Sequence, residues 1–169
     1  NPKEFSEFLV GLFRKRLAGC IHTVNTDVAD RAKLENGSSK LILGNATINE
    51  NILGLNFEIS MESFFQTNPA SAERLYQKVI DYVSEDQTLS NGVVMDLFCG
   101  TGTIGQLVAK EIENTSVIGV DIVESAIENA KKNAQVNQIK NIQFFSQDVG
   151  KFLAKNPEFE NKINTIVLD

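Results

Sequence analysis

Apolar and polar residues follow two different rhythms along this chain. Phe5, Phe8, Leu9, Leu12 and Phe13 recur at i, i+3, i+4, i+7 and i+8, the spacing of one apolar helix face, and Gly19 is placed to end that helix. "CIHTVN" then alternates in and out as a strand does, and "KLILGN", "ATIN" and "LNFEIS" read as further strands. Asn36-Gly37 and Asn49-Glu50-Asn51 have the chemistry of turns between them. Residues 1–62 are therefore expected to form a small antiparallel α+β piece.

"SFFQTN", residues 63–68, links this piece to a second. Asn68-Pro69 opens a helix, with Asn as the cap and Pro at the first helical position. Ala72, Leu75, Tyr76, Val79, Ile80 and Val83 form its stripe. From Gly92 the rhythm becomes strand, helix, strand. "VVMDLF" is short and almost wholly apolar, as a parallel strand buried on both faces must be. Ile104, Leu107, Val108 and Ile112 make the next helical stripe, and "SVIGVD" the next strand. Val123, Ala126, Ile127, Ala130 and Ala134 follow as a helix, and "IQFFSQD" and "TIVLD" as two more strands. This alternation predicts an α/β fold, a doubly wound parallel sheet, over residues 63–169.

The chain has 169 residues, room for one domain or one domain and part of another. Eleven Phe and no Trp give the core its bulk. No apolar run approaches the about 20 residues that span a bilayer. The start, "NPKEFSEF", has no signal-peptide character and no Met, so it is read as an internal start. A net charge of −6 argues against strong nucleic-acid binding by this piece alone. Its one basic cluster, Arg14-Lys15-Arg16, reads as a solvated helix end. Cys20 and Cys99 match no metal or disulfide spacing, which suits a reducing, cytoplasmic setting and predicts no metal site.

The candidate chemistry starts at "DLFCGTGTIG". Gly100, Gly102 and Gly105 spell G-x-G-x-x-G, the pattern of a phosphate-cradling loop. Yet Asp96-Leu97-Phe98-Cys99 stands between strand and glycines, and a carboxylate there repels phosphate. Asp96, Asp121, Asp148 and Asp169 lie at or next to four successive strand ends, one strand–helix unit apart. In such sheets the ligand crevice lies outside the carboxyl ends of the strands, so four acids converge on one rim. Each acid taken alone has a plainer reading, as the cap of the following helix. A ligand with an ammonium, a ribose and an adenine uses all of them: Asp121 accepts two ribose hydroxyls and Asp148 the adenine amino group. S-adenosylmethionine has that inventory and no phosphate.

"VMDLFCGTGTIG", with "VIGVDIVESAIENAKKNAQVN" and "FFSQDV" after it, resembles the class I S-adenosylmethionine-dependent methyltransferases. "SFFQTNPASAERLY" joined to "DLFCGTGTIG" and closing on "IVLD" narrows this to a resemblance to the RNA uracil-5-methyltransferases, which make 5-methyluridine in ribosomal or transfer RNA. The likeness covers about residues 40–169, and residues 63–169 then correspond to the N-terminal part of the cofactor-binding domain. It implies S-adenosylmethionine as cofactor and RNA as partner. It assigns Gln66 to the cofactor's methionine part, Phe98, Gly100 and Thr103 to the cofactor loop, Asp121 to the ribose and Asp148 to the adenine. Asp169 matches the acid that opens the family's D-P-P-R motif. The family's nucleophilic cysteine and general-base glutamate lie beyond that motif, so the chain is expected to be an inactive fragment. The RNA-binding β-barrel and four-cysteine iron–sulfur cluster of some members have no counterpart in it. In the family a thiolate adds to uracil C6, C5 takes the methyl group, and a base removes the C5 proton.

Cys99 stands in the cofactor loop with no basic neighbour in sequence to activate it, so it reads as a packing residue. Cys20 and the single His22 share a strand with no partner acid evident, which argues against catalysis there. Three other functions compete: an NAD-dependent oxidoreductase, a methyltransferase for another substrate, and a non-catalytic RNA-binding or assembly module.

Overall fold

The computed structural model describes residues 1–24, 38–61, 63–85, 92–159 and 161–168, so the Asn36-Gly37 turn and Asp169 lie outside the described residues. Two compact units cluster separately. One is Asn1–Asn49 with Glu58–Glu62, the other Glu50–Phe57 with Ser63–Asp169.

In the first unit, α1 (Pro2–Phe13) starts at Asn1, whose side chain accepts from the Lys3 N–H. The helix forms where the spacing predicts, but its apolar face is not packed. Phe5 and Phe8 are 60% and 63% exposed, and Ser6 is the helix's one buried residue. The helix also ends before Gly19. Arg14–Arg16 makes an exposed 3₁₀ turn, and Gly19 opens β1 (Gly19–Val24). Glycine is needed there because a Cβ would run into the Asn45 backbone. β1 pairs antiparallel with β2 (Ser38–Gly44), with a bulge at Cys20/Ile21.

β3 (Thr47–Ile52) and β4 (Leu55–Ser60) form a hairpin whose turn end belongs to the second unit. The turn is Leu53-Gly54, at φ 47° and 81°, and not Asn49-Glu50-Asn51, which lies within β3. A two-residue hairpin turn of this kind needs positive φ at both positions, which glycine supplies without strain. Asn51 instead bonds Asn56 across the hairpin, Nδ2 to Oδ1 at 2.8 Å. Ile52, Leu55 and Phe57 are buried. The Leu53 N–H donates to Glu73 (3.0 Å) and its carbonyl accepts from Lys110 Nζ (2.8 Å).

α2 (Pro69–Ser84) is capped by Asn68, which accepts from the Ser71 N–H at 3.1 Å. It buries Ala72, Tyr76, Ile80 and Val83, while Leu75 turns out to solvent. After it come β5 (Val93–Leu97), α3 (Thr103–Glu111), β6 (Ser116–Asp121), α4 (Glu124–Val136), β7 (Ile142–Ser146), α5 (Val149–Lys155) and β8 (Ile163–Leu168). Their sheet has the order β7-β6-β5-β8 and every pairing is parallel. The fold is thus a Rossmann-like α/β sheet preceded by small strand pairs, as the alternation predicts. The chain steps outward from β5 to β7, then returns to place β8 on the other side of β5. Such a reversal is the topological switch point, where open α/β sheets hold ligands.

Alternate residues of the central strands feed two cores. Met95, Leu97, Ile118 and Val120 pack with Phe152 on the α5 side, where Phe145 and Phe152 stand 4.9 Å apart. On the other side Phe144 packs with Ile127, Ala130 and Ala134 of α4.

Candidate functional site

The loop from β5 to α3 stands at the switch point. Phe98, Gly100 and Gly102 all take positive φ, at 58°, 53° and 71°. For Phe98 this is a strained conformation, and the ring is 55% exposed. A strained, exposed aromatic at a strand end is a feature of ligand sites more than of cores.

The loop's glycines do different jobs. A Cβ at Gly102 would collide with the Phe144 ring. One at Gly105 would lie 2.9 Å from Asp96 Oδ2 and 3.1 Å from Ile142. Both therefore make room for packing. Gly100 has nothing within 4 Å of its Cβ position, so its backbone borders open space.

The backbone donors decide what the loop can bind. Gly100 N–H donates to Asp121 Oδ2 (2.8 Å), Gly102 N–H to the Cys99 carbonyl (2.8 Å) and Gly105 N–H to Asp96 Oδ2 (2.9 Å). All three glycine amides are thus engaged within the protein. A phosphate cradle needs free amides and the positive end of a helix. Here the first turn of α3 already faces Asp96, a carboxylate only 2% exposed.

Asp121 ends β6. Its Oδ1 accepts from the Val123 N–H and its Oδ2 from the Gly100 N–H, both at 2.8 Å. The two bonds hold the carboxylate at the rim, half-buried, with further lone pairs on each oxygen. Ser146 stands in register beside Asp121, and two residues on Asp148 caps α5 by accepting from the Lys151 N–H at 2.9 Å. The plainer reading therefore accounts for one Asp148 oxygen. Leu168 pairs with Leu97 and brings β8 to the same rim. Thr103 is buried, its hydroxyl 3.2 Å from that of Thr101. Gln66 lies half-buried in the coil before α2, with no hydrogen bond to the loop among the described residues. The structure thus joins Phe98, Gly100 and Asp121 in one rim, with Asp148 beside them, while Thr103 is buried.

Cys99 packs beside α4, and a Cβ at Gly119 would come 3.0 Å from its Sγ. Burial pushes its thiol well above the ordinary range, and the charges of Asp96 and then Asp121 add to the rise. A thiol held neutral is a poor nucleophile. In a Cys20→Ser background, Cys99 is expected to resist iodoacetamide at pH 8 until the fold is unfolded by denaturant. Labelling as fast as a free thiol would contradict this. The same shift has a pH consequence. Above the ordinary thiol value of 9.0 the unfolded chain ionises while the folded one holds its proton, so stability falls as pH rises. Cys99→Ala is expected to flatten that fall in thermal melts.

A family model described as a methyltransferase domain matches residues 88–169. A protein of Clostridium acetobutylicum named as an uncharacterized RNA methyltransferase is 40% identical, over 98% of this chain and 34% of its own. The human tRNA (uracil-5-)-methyltransferase homolog A is 34% identical, over 85% and 24%. The chain is thus similar over most of its length to proteins named as RNA methyltransferases, and its second half matches a methyltransferase domain. It spans about a third of the length of the curated relatives first matched. Among solved structures, the Pyrococcus abyssi tRNA (uracil-54, C5)-methyltransferase in complex with S-adenosyl-L-homocysteine superposes with a TM-score of 0.59. That protein is 28% identical, over 78% of this chain and 31% of its own.

Three residues that bond or pack around this loop and its helices escape a reading by motif. Gly119 lies inside β6, where a Cβ would meet Phe144 at 2.5 Å; an isolated glycine within an apolar strand is its signal. Gln106 and Asn137 are amides on α3 and just after α4, and nothing in their spacing marks them. Among the described residues no helix is long and apolar enough to cross a membrane, and no three His, Cys, Asp or Glu side chains group as metal ligands.

Proposed function

We propose that this protein binds S-adenosylmethionine at the β5–α3 loop and serves methyl transfer to C5 of uracil in ribosomal or transfer RNA, in the cytoplasm. One observation carries the cofactor reading. All three glycine amides of the loop are engaged by the protein's own oxygens, two of them by carboxylates, so the loop suits a ligand without phosphate. The relatives named as RNA and tRNA uracil-5-methyltransferases support the substrate.

The chain's residues then divide the work. Gly100 lets the backbone approach the ligand closely. Asp121 offers its remaining lone pairs to the ribose hydroxyls, Phe98 gives an apolar wall, and Asp148 lies where the adenine is expected. Gln66 and Asp169 are assigned to the methionine end, and Thr103 to the cofactor loop. The cofactor, when bound, supplies a methyl group activated by the adjacent sulfonium. Holding it in one orientation lowers the barrier through proximity.

The test uses the whole protein, labelled S-adenosylmethionine and unmodified ribosomal or transfer RNA, digested to nucleosides. Label in 5-methyluridine is the expected result. Label in another nucleoside, or in none, would contradict the uracil C5 assignment. Residues 1–169 alone are expected to incorporate no label, since the proposal gives them the cofactor half only.

A further inference from the structure

We propose that Asn137 is a positioning residue, acting through Gln106 to fix the cofactor loop and tie it to the start of β4; this rests on the cofactor reading above. Gln106 is fully buried on α3, 0% exposed. Its Nε2 donates to the carbonyls of Thr101, in the loop, and Ala130, in α4, each at 3.4 Å. Its Oε1 accepts from Asn137 Nδ2 at 3.3 Å. Asn137 in turn grips the backbone of Asn56. Its Oδ1 accepts from the Asn56 N–H and its Nδ2 donates to the Asn56 carbonyl, both at 2.9 Å.

The inventory closes. Two primary amides have four N–H hydrogens, and four acceptors meet them: Thr101 O, Ala130 O, Gln106 Oε1 and Asn56 O. Neither amide can turn over without losing several bonds at once. The direction of the chain is therefore fixed, from the hairpin at Asn56 to the loop at Thr101. Thr101 sits between Gly100, which borders open space, and Gly102, whose positive φ sets the turn into α3. Among the described residues the Asn137 side chain bonds Asn56 and Gln106 and no residue assigned to the cofactor. Its effect must pass through Gln106 and the Thr101 carbonyl.

The variants are Asn137→Ala, which removes the amide oxygen and nitrogen together, and Asn137→Asp, which sets an acceptor against Asn56 O and Gln106 Oε1. Asn137 is half-buried, so neither empties the core. Phe152→Leu, in the core on the other side of the sheet, is the control for general loss of stability. S-adenosylhomocysteine affinity is measured by calorimetry, and amide exchange across residues 100–106 by mass spectrometry without ligand. Binding about tenfold weaker in Asn137→Ala, weaker still in Asn137→Asp, is expected, within the usual range of coupling between sites. Faster exchange in the loop is expected in both, beyond that of Phe152→Leu. Affinity and exchange no different from the control would overturn the proposal. If the unaltered protein bound no S-adenosylhomocysteine, the cofactor reading would fail and loop exchange would decide the relay alone.

Discussion

Gly102→Ala is expected to cost the fold about 2–5 kcal/mol, against about 1–2 kcal/mol for Gly100→Ala. Both positions hold the left-handed conformation, at φ 71° and 53°. An alanine there pays about 1–2 kcal/mol for its backbone. Beyond that the two sites differ. At Gly100 the new methyl group meets nothing within 4 Å. At Gly102 it would collide with the Phe144 ring and come 3.1 Å from Ala130 Cβ. Both neighbours belong to the core under α4, so neither swings away, and overpacking of this kind costs about 1–3 kcal/mol. Urea denaturation of the two variants measures the difference directly. Equal losses would mean that the loop glycines are there for their backbone alone.

Asp121→Ala is expected to weaken S-adenosylhomocysteine binding about a hundredfold, and Asp96→Ala to act mainly on stability. The two carboxylates look alike in sequence, each at a strand end. The structure separates them. Asp96 is buried and accepts from Gly105 N–H, so its loss leaves a buried donor without that partner, at about 1–3 kcal/mol. Asp121 is half-buried at the rim, between the Gly100 and Val123 amides. Its loss removes the acceptor proposed for two ribose hydroxyls and frees the Gly100 amide together. Calorimetry and thermal melts on both variants read the two effects apart. A larger affinity loss in Asp96→Ala than in Asp121→Ala would place the ligand at the wrong end of the rim.

The sheet was legible because its signals are local. "VVMDLF" and "SVIGVD" are apolar runs that only a sheet covered on both faces explains, and β5 and β6 occupy them within a residue. The placing of Asp121 and Asp148 at neighbouring strand ends followed from the alternation of strand and helix alone, whereas Asp96 is buried against Gly105 and does not reach the rim. What the acids bond to was not legible. Gly105 meets Asp96 across nine residues only once the loop turns back on its strand, and Gly119 meets Phe144, 25 residues on, only once β6 and β7 pair. The α1 face shows the reverse case. Its spacing is that of a buried stripe, yet Phe5 and Phe8 stand exposed, because periodicity reports that a face is apolar and not that a partner covers it. The hairpin turn was misplaced by two asparagines. Asn51 serves a cross-strand bond, and the positive φ falls on Leu53 and Gly54.

A G-x-G-x-x-G loop whose three glycine amides are held by its own protein is expected to take a ligand without phosphate. Calorimetric titration of the protein with S-adenosylhomocysteine and, separately, with NAD distinguishes the two kinds of ligand. Saturable binding of S-adenosylhomocysteine, tighter than that of NAD and weakened by Asp121→Ala, is the predicted result. Tighter binding of NAD would contradict the account, because it would require the Gly100, Gly102 and Gly105 amides to leave Asp121, Cys99 and Asp96 for a pyrophosphate.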